Sequence, residues 1–190
     1  MPVTLILASA SPRRQELLRQ AAIPFLVDAP DVDETCDLPA EQAVAELSRR
    51  KALASRGKHP GAFILAADTL VAVDGRSLGK PGTPAEARAM LHSLSGRTHT
   101  VCTGVSVLNP AGALFTDTDV SHVTFDPMTD AEIDAYAASG EPMDKAGAYA
   151  IQGRAALWIR RMDGSPSGVI GLPLDLVRRL LLKAGFPLFS

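Results

Sequence analysis

Phe63-Ile64-Leu65-Ala66-Ala67-Asp68-Thr69-Leu70-Val71-Ala72-Val73-Asp74-Gly75 is the stretch on which the reading of this chain turns. Its first residues form an unbroken apolar run, which suits a strand covered on both faces rather than one with a wet side. Asp68 ends that run, yet Thr69-Leu70-Val71 continues with β-prone residues instead of a helical pattern. Asp74-Gly75, set between Val71-Ala72-Val73 and Arg76-Ser77-Leu78, is a two-residue hairpin signal. A strand buried on both faces needs helices layered around it, so the flanking segments should alternate between strand and helix.

They do. Toward the N-terminus, Phe25 to Val27 is a short apolar piece, Asp28 to Asp37 is an acidic loop, and a helix is expected from about Pro39 to Ser55 before the break at Gly57 to Gly61. Further out, Val3 to Ala8 reads as a strand. The helix after it starts at Pro12 with Ser11 as its cap, shows Leu17, Leu18, Ala21 and Ala22 on one face, and is closed by Pro24. Toward the C-terminus, Thr83-Pro84-Ala85-Glu86 is a capping box ahead of the stripe Ala87, Met90, Leu91 and Leu94, ended by Gly96. His99 to Leu108 and Ala113 to Phe125 flank the turn Asn109-Pro110-Ala111-Gly112 and predict an antiparallel pair. A second capping box, Thr129 to Glu132, opens a helix that stops at Gly140. Then come a loop through Asp144 to Gly153, a strand around Leu157 to Met162, a glycine-rich turn, and a helix from Leu174 to Ala184 with Leu176, Val177, Leu180 and Leu181 facing inward. The pattern predicts an α/β or α+β fold with mixed strand directions and no internal repeat.

With 190 residues and 46% hydrophobic content, the chain can bury a core without disulfide or metal staples, and one domain over residues 1–190 is expected. A net charge of -2 provides no global field for nucleic acid or an anionic membrane, so any anion site must be local. Trp158 and the few other aromatics make no stacking platform for single strands. Cys36 and Cys102 stand alone, as in a reducing compartment. The apolar run Val3 to Ala10 has no basic region before it and is too short to span a bilayer, so neither a signal peptide nor a membrane helix is expected, and the location expected is cytoplasmic.

Ser9-Ala10-Ser11-Pro12-Arg13-Arg14 places backbone N–H groups, hydroxyls and guanidiniums at a helix N-terminus, where the dipole favours an anion. The alternative is an ordinary Ser-Pro helix start with solvated arginines, but cations there disfavour the helix unless an anion compensates. Lys51 falls in register with Val44, Leu47 and Ala54 on an apolar stripe, where it either snorkels or meets an anion. Asp68, at the mouth of a buried strand, is a metal ligand or general base, or else a turn aspartate. Glu34 shares its loop with Asp28, Asp31, Asp33 and Asp37, a cluster that binds a hard cation or is merely a solvated turn. Lys80, after the hairpin, returns toward Asp68 or is a surface lysine. Gln152 carries both donor and acceptor, as reading a pyrimidine edge requires, or is a polar residue at a strand end. Gly164 to Gly171 lacks the lysine and spacing of a P-loop and reads as a structural turn. His59, His92, His99 and His122 have no ligand spacing. A haloacid-dehalogenase-type phosphatase is excluded, because Leu70 stands where the second aspartate after Asp68 belongs.

Taken together, Leu7-Ala8-Ser9-Ala10-Ser11-Pro12-Arg13-Arg14, Val32-Asp33-Glu34, Lys51-Ala52, Ala67-Asp68-Thr69, Gly79-Lys80-Pro81, Ser95-Gly96, Asp144-Lys145-Ala146-Gly147 and Gly171-Leu172-Pro173-Leu174 resemble, in order, the motifs of the Maf family of nucleoside triphosphate pyrophosphatases. The resemblance implies an elongated α/β fold, a mixed sheet flanked by helices, with the cleft between two lobes, commonly in a homodimer. It implies that Asp68 accepts a proton, that Glu34 is a catalytic or metal-binding carboxylate, and that Ser9, Arg13, Arg14, Lys51 and Lys80 contact phosphate. Arg13, Thr69 and Gln152 resemble the branch that acts on dTTP and UTP. The implied cofactor is a divalent cation, Mg²⁺ or Mn²⁺, held by Glu34 and Asp68. The family is also linked to arrested septation, so a nucleotide-binding regulator of septum formation is the competing expectation.

Overall fold

The computed structural model describes residues 3–189, so the ends of the expected 1–190 domain lie outside the described residues. Strand β1 (Leu5–Ala8) lies between β2 (Leu26–Asp28) and β3 (Phe63–Val73), parallel to both. β4 (Arg76–Leu78) returns beside β3 through Asp74 and Gly75, both at positive φ, the mirror-image turn that Asp-Gly predicts. β5 (Thr98–Leu108), β6 (Leu114–Phe125) and β7 (Ile159–Asp163) follow antiparallel. The sheet order is β2-β1-β3-β5-β6-β7, with β4 alongside β3, so the mixed directions expected from the sequence are present. The apolar piece at Phe25 to Val27 is therefore an edge strand in its own right, shifted to Leu26–Asp28.

β3 explains where a site forms. β1 pairs with Phe63 to Leu65, and β4 with Val71 to Val73 on the same edge. β5 runs unbroken along the other edge, from Ile64 to Ala72. Between the two short partners, Ala66 to Leu70 has a neighbour on one side and an opening on the other, and Asp68 and Thr69 lie in that opening.

Side-chain alternation then sorts the layers. On the odd-numbered side of β3, Leu65 and Ala67 join Leu5, Leu7, Val105 and Val107 under α1 (Pro12–Gln20) and α6 (Leu174–Ala184). Further along, Val71 and Val73 join Val101 and Val123 under α3 (Pro84–Leu94) and α4 (Asp130–Ala138). Thr69 and its β5 partner Thr103 fall between these two cores. Hydroxyls there would be costly if unpaired; they bond to each other at 2.9 Å, and Thr103 donates to the Gly168 carbonyl at 2.9 Å. This polar row divides one apolar sheet face into two lobes.

The opposite face is covered by α2 (Ala40–Arg56) over Ile6, Ala8, Ile64 and Ala66. Ala43, Val44, Leu47, Ser48, Ala52 and Ser55 are its buried residues, whereas Ala54, expected on the stripe with Lys51, is exposed. The helix is turned so that small residues face the sheet, because it sits very close. A Cβ at Gly104, the β5 residue opposite Asp68, would lie 2.2 Å from the Val44 carbonyl oxygen.

Two further boundaries differ from expectation. α1 stops at Gln20, not at Pro24, because Ala22 takes a left-handed conformation (φ 53°) while Ile23 N bonds back to Leu18 O and Ala22 N to Arg19 O. This is a Schellman closure with alanine in the usual glycine position, and it leaves Ala21 and Ala22 exposed. The glycine-rich turn holds a short helix, α5 (Pro166–Ile170), and the loop beyond Gly140 is wound into 3-10 turns at Glu141–Asp144, Ala146–Ala148 and Arg154–Leu157. No helix among the described residues is long and apolar enough to cross a membrane.

Candidate active site

The two arginines at the start of α1 have opposite tasks, and neither is simply solvated. Arg14 spreads its fork over three acceptors: Gly171 O at 2.8 Å, Ser9 Oγ at 3.0 Å and Thr69 Oγ1 at 3.3 Å. Since Thr103 spends its proton on Gly168 O, Thr69 must donate to Thr103. A directional chain thus runs from Arg14 through both threonines to the carbonyl of α5. Burial pulls the Arg14 pKa down and the nearby Asp68 pushes it back up; a guanidinium remains cationic through such changes. Ser9 is buried and also accepts from Ser11 N, while Ser11 caps the helix. Arg13 instead crosses the cleft, with Nη1 at 3.2 Å from Asp144 Oδ2 and Nη2 at 3.5 Å from the Asp144 carbonyl.

At the opening in β3, Lys51 of α2 resolves the choice between snorkelling and meeting an anion. Its ammonium, on a side chain only 12% exposed, lies 2.6 Å from Asp68 Oδ1 and 2.7 Å from Glu34 Oε1. The close seat of α2 against Gly104 brings it within reach. Glu34 is held below its ordinary carboxylate range first by this hydrogen bond, with Lys80 and Arg14 adding to the effect. Two of the other loop acids, Asp28 and Asp33, have different work. Asp28 faces Lys58 and His59, and Asp33 accepts from Thr35 N at 2.8 Å, while Arg50 ties the loop backbone at Asp33 and Thr35. The acidic loop is thus braced so that Glu34 turns toward the cleft.

Ser9, Arg13, Arg14, Glu34, Lys51, Thr69, Lys80 and Gln152 line one cavity of about 400 Å³, within the range of about 300–1,000 Å³ usual for small-molecule sites. Asp68 stands behind Lys51 rather than on the wall. Gln152 lies in a turn, not at a strand end. The sequence reading missed three wall residues, Asp144, Lys145 and Tyr149; the first two were visible in a motif but carried no role. It also took the Gly164 to Gly171 turn as structural, whereas the Gly171 carbonyl anchors Arg14 and Gly171 lines the cavity. Tyr149 is fixed from behind by His99, whose Nε2 is 2.8 Å from the phenol oxygen.

Among the described residues, no three His, Cys, Asp or Glu side chains converge as a metal cage. Glu34 and Asp68 do share one ammonium, which places two carboxylates together. That donor set fits a hard cation that takes its other ligands from phosphate oxygens and water, as Mg²⁺ commonly does.

Residues 4–184 match the family model described as Maf-like protein. The dTTP/UTP pyrophosphatase of Symbiobacterium thermophilum is 50% identical over 189 residues, covering 98% of this chain and 96% of the relative. That of Myxococcus xanthus is 51% identical over 187 residues, covering 97% and 94%. Among solved structures, a HAM1 protein from Coxiella burnetii aligns over 96% of this chain and 100% of its own, with a TM-score of 0.50 and 19% identity, a likeness of fold.

Proposed function

This chain belongs to the Maf-like family, and from that premise we propose that it hydrolyses dTTP and UTP to the monophosphate and pyrophosphate. Modified pyrimidine triphosphates fall within the proposal, since a pocket that accepts uracil rejects a small added group only weakly. The observation that carries the reading is the gathering of Arg13, Arg14, Lys51 and Lys80, from three separate segments, around a cavity that also holds Glu34 and Gln152.

In this mechanism the triphosphate lies against the basic wall, and Gln152 meets the Watson–Crick edge of the base. Water attacks the α-phosphorus, Asp68 takes its proton, and pyrophosphate leaves in line. Lys51 fixes the orientation of Asp68 through Oδ1. The charge growing on the leaving group is met by the guanidiniums and ammoniums already in place, an electrostatic task that needs no covalent nucleophile. Glu34 and Asp68 would hold Mg²⁺ or Mn²⁺ with phosphate and water completing its shell; when bound, the ion supplies charge neutralisation at the phosphates. The homodimer implied by the family resemblance is part of the same proposal and is read by sedimentation velocity.

The test is a panel of ordinary and modified triphosphates incubated with Mg²⁺, with both products identified. Pyrophosphate with a pyrimidine monophosphate is expected. Orthophosphate as the first product would refute the reaction, and tight binding without any product would favour the regulator.

A further inference from the structure

A side chain recognises a base edge only when its backbone is held, since a loose amide loses in entropy what it gains in contact. Gln152 is exposed, and among the described residues its amide has no protein partner. Its turn, however, is pinned on both sides from one place. Two residues before it, Ala150 N donates to Tyr136 Oη at 3.2 Å. Two residues after it, Arg154 N donates to Glu141 Oε1 at 3.1 Å and Oε2 at 3.3 Å. Tyr136 Oη in turn donates to Glu141 Oε1 at 2.9 Å, joining the two anchors.

The anchors themselves are rigid. The Tyr136 ring is fully buried in the second core, and burial pushes its hydroxyl pKa up. Glu141 is tied by Lys145, whose Nζ donates to its carbonyl at 2.7 Å. Gly153 completes the fit: a Cβ there would lie 2.1 Å from Glu141 Oε1. Neither Tyr136 nor Glu141 lines the cavity, so any effect they have on a ligand is transmitted through the turn.

We propose that Tyr136 and Glu141 form a positioning clamp that sets the Gln152 turn and with it the discrimination of pyrimidine from purine triphosphates. The inference rests on the functional reading above, in which Gln152 meets the base. Glu141→Ala frees the Arg154 amide and removes the acceptor that orients the Tyr136 hydroxyl under Ala150 N. Its ratio of pyrimidine to purine kcat/KM should fall roughly tenfold, the equivalent of one lost hydrogen bond, with the loss in KM and kcat nearly unchanged. Glu141→Gln keeps an acceptor for Arg154 N and for the phenol, and should restore the ratio. Gly153→Ala displaces the carboxylate without removing its charge and should reproduce the Glu141→Ala phenotype; the double variant should be no worse than either alone.

Hydrogen exchange at the Arg154 amide supplies a readout independent of turnover, with protection lost in Glu141→Ala and kept in Glu141→Gln. A folded Glu141→Ala protein with wild-type discrimination overturns the clamp. If that variant does not fold, Gly153→Ala decides by the same criterion. If the wild type hydrolyses no pyrimidine triphosphate, the functional reading has failed instead, and unchanged amide protection in Glu141→Ala would separately overturn the clamp.

Discussion

Replacing Lys51 by methionine removes the ammonium that joins two carboxylates while keeping an apolar stem of similar length. The two contacts it breaks are unequal. Glu34 has a side chain 63% exposed, and an ion pair there contributes at most about 1 kcal/mol. The Asp68 and Lys51 side chains are 11% and 12% exposed, and removing one member of a buried pair typically costs about 3–5 kcal/mol because the other charge is left uncompensated. The second contact decides the outcome. For a chain of this size, about 2–4 °C per kcal/mol converts that loss into a fall in Tm of roughly 6–20 °C. The cause separates from lost packing in a double variant: Lys51→Met with Asp68→Asn should be more stable than Lys51→Met alone, since the stranded carboxylate is gone. Thermal melts followed by circular dichroism at neutral pH provide both numbers. A Lys51→Met protein that melts within a degree or two of wild type, or a double variant less stable than the single one, would refute the reasoning.

Asp68→Asn, measured by pyrophosphate release, should lower kcat by on the order of a hundredfold or more, and near-normal turnover would remove Asp68 from the mechanism. His99, buried and held by burial at a pKa of about 4 against an ordinary 6.5, is neutral when folded, while the unfolded chain takes up a proton below 6.5. Stability should therefore decline as pH falls from 6.5 toward 4, by up to about 3 kcal/mol, and the slope should be absent in melts of His99→Gln. Glu34 is depressed, so its contact with Lys51 is fully present above its ordinary pKa of 4.5 and is lost as pH falls below it. The stability gap between wild type and Glu34→Gln should be constant near neutrality, under about 1 kcal/mol for so exposed a pair, and close in acid. Ala22→Gly should raise stability by about 1 kcal/mol, because it relieves a left-handed alanine at the end of α1; an unchanged or lower denaturation midpoint would argue against that closure.

What the sequence determined by itself is local in origin. The run Phe63 to Ala67, the Asp74-Gly75 turn, the Thr129 capping box and the stripe of α6 each depend on neighbours a few residues away, and each formed as read; Thr83 caps α3, but Glu86 accepts from Gly82 N at 2.7 Å instead of closing the box on Thr83. The ordered motifs around Ser9, Asp68 and Lys80 supplied the family, since residue types at fixed spacing survive without coordinates. What only the tertiary structure decided depends on groups far apart in the chain. Helical periodicity placed Lys51 on a stripe but could not rotate α2 correctly, because the rotation is set by Gly104, whose missing side chain lets the helix touch the sheet. Nothing local distinguished Glu34 from the other acids of its loop; Lys58 and His59 hold Asp28, and Arg50 holds the backbone at Asp33 and Thr35 on either side of it. The short reach of β1 and β4 along β3 opened the edge at Asp68, and the Thr69 and Thr103 hydroxyls divided the core beside it. Strand length and capping are written in neighbouring residues, whereas a cleft is the space that distant segments fail to fill, and its shape exists only once they have packed.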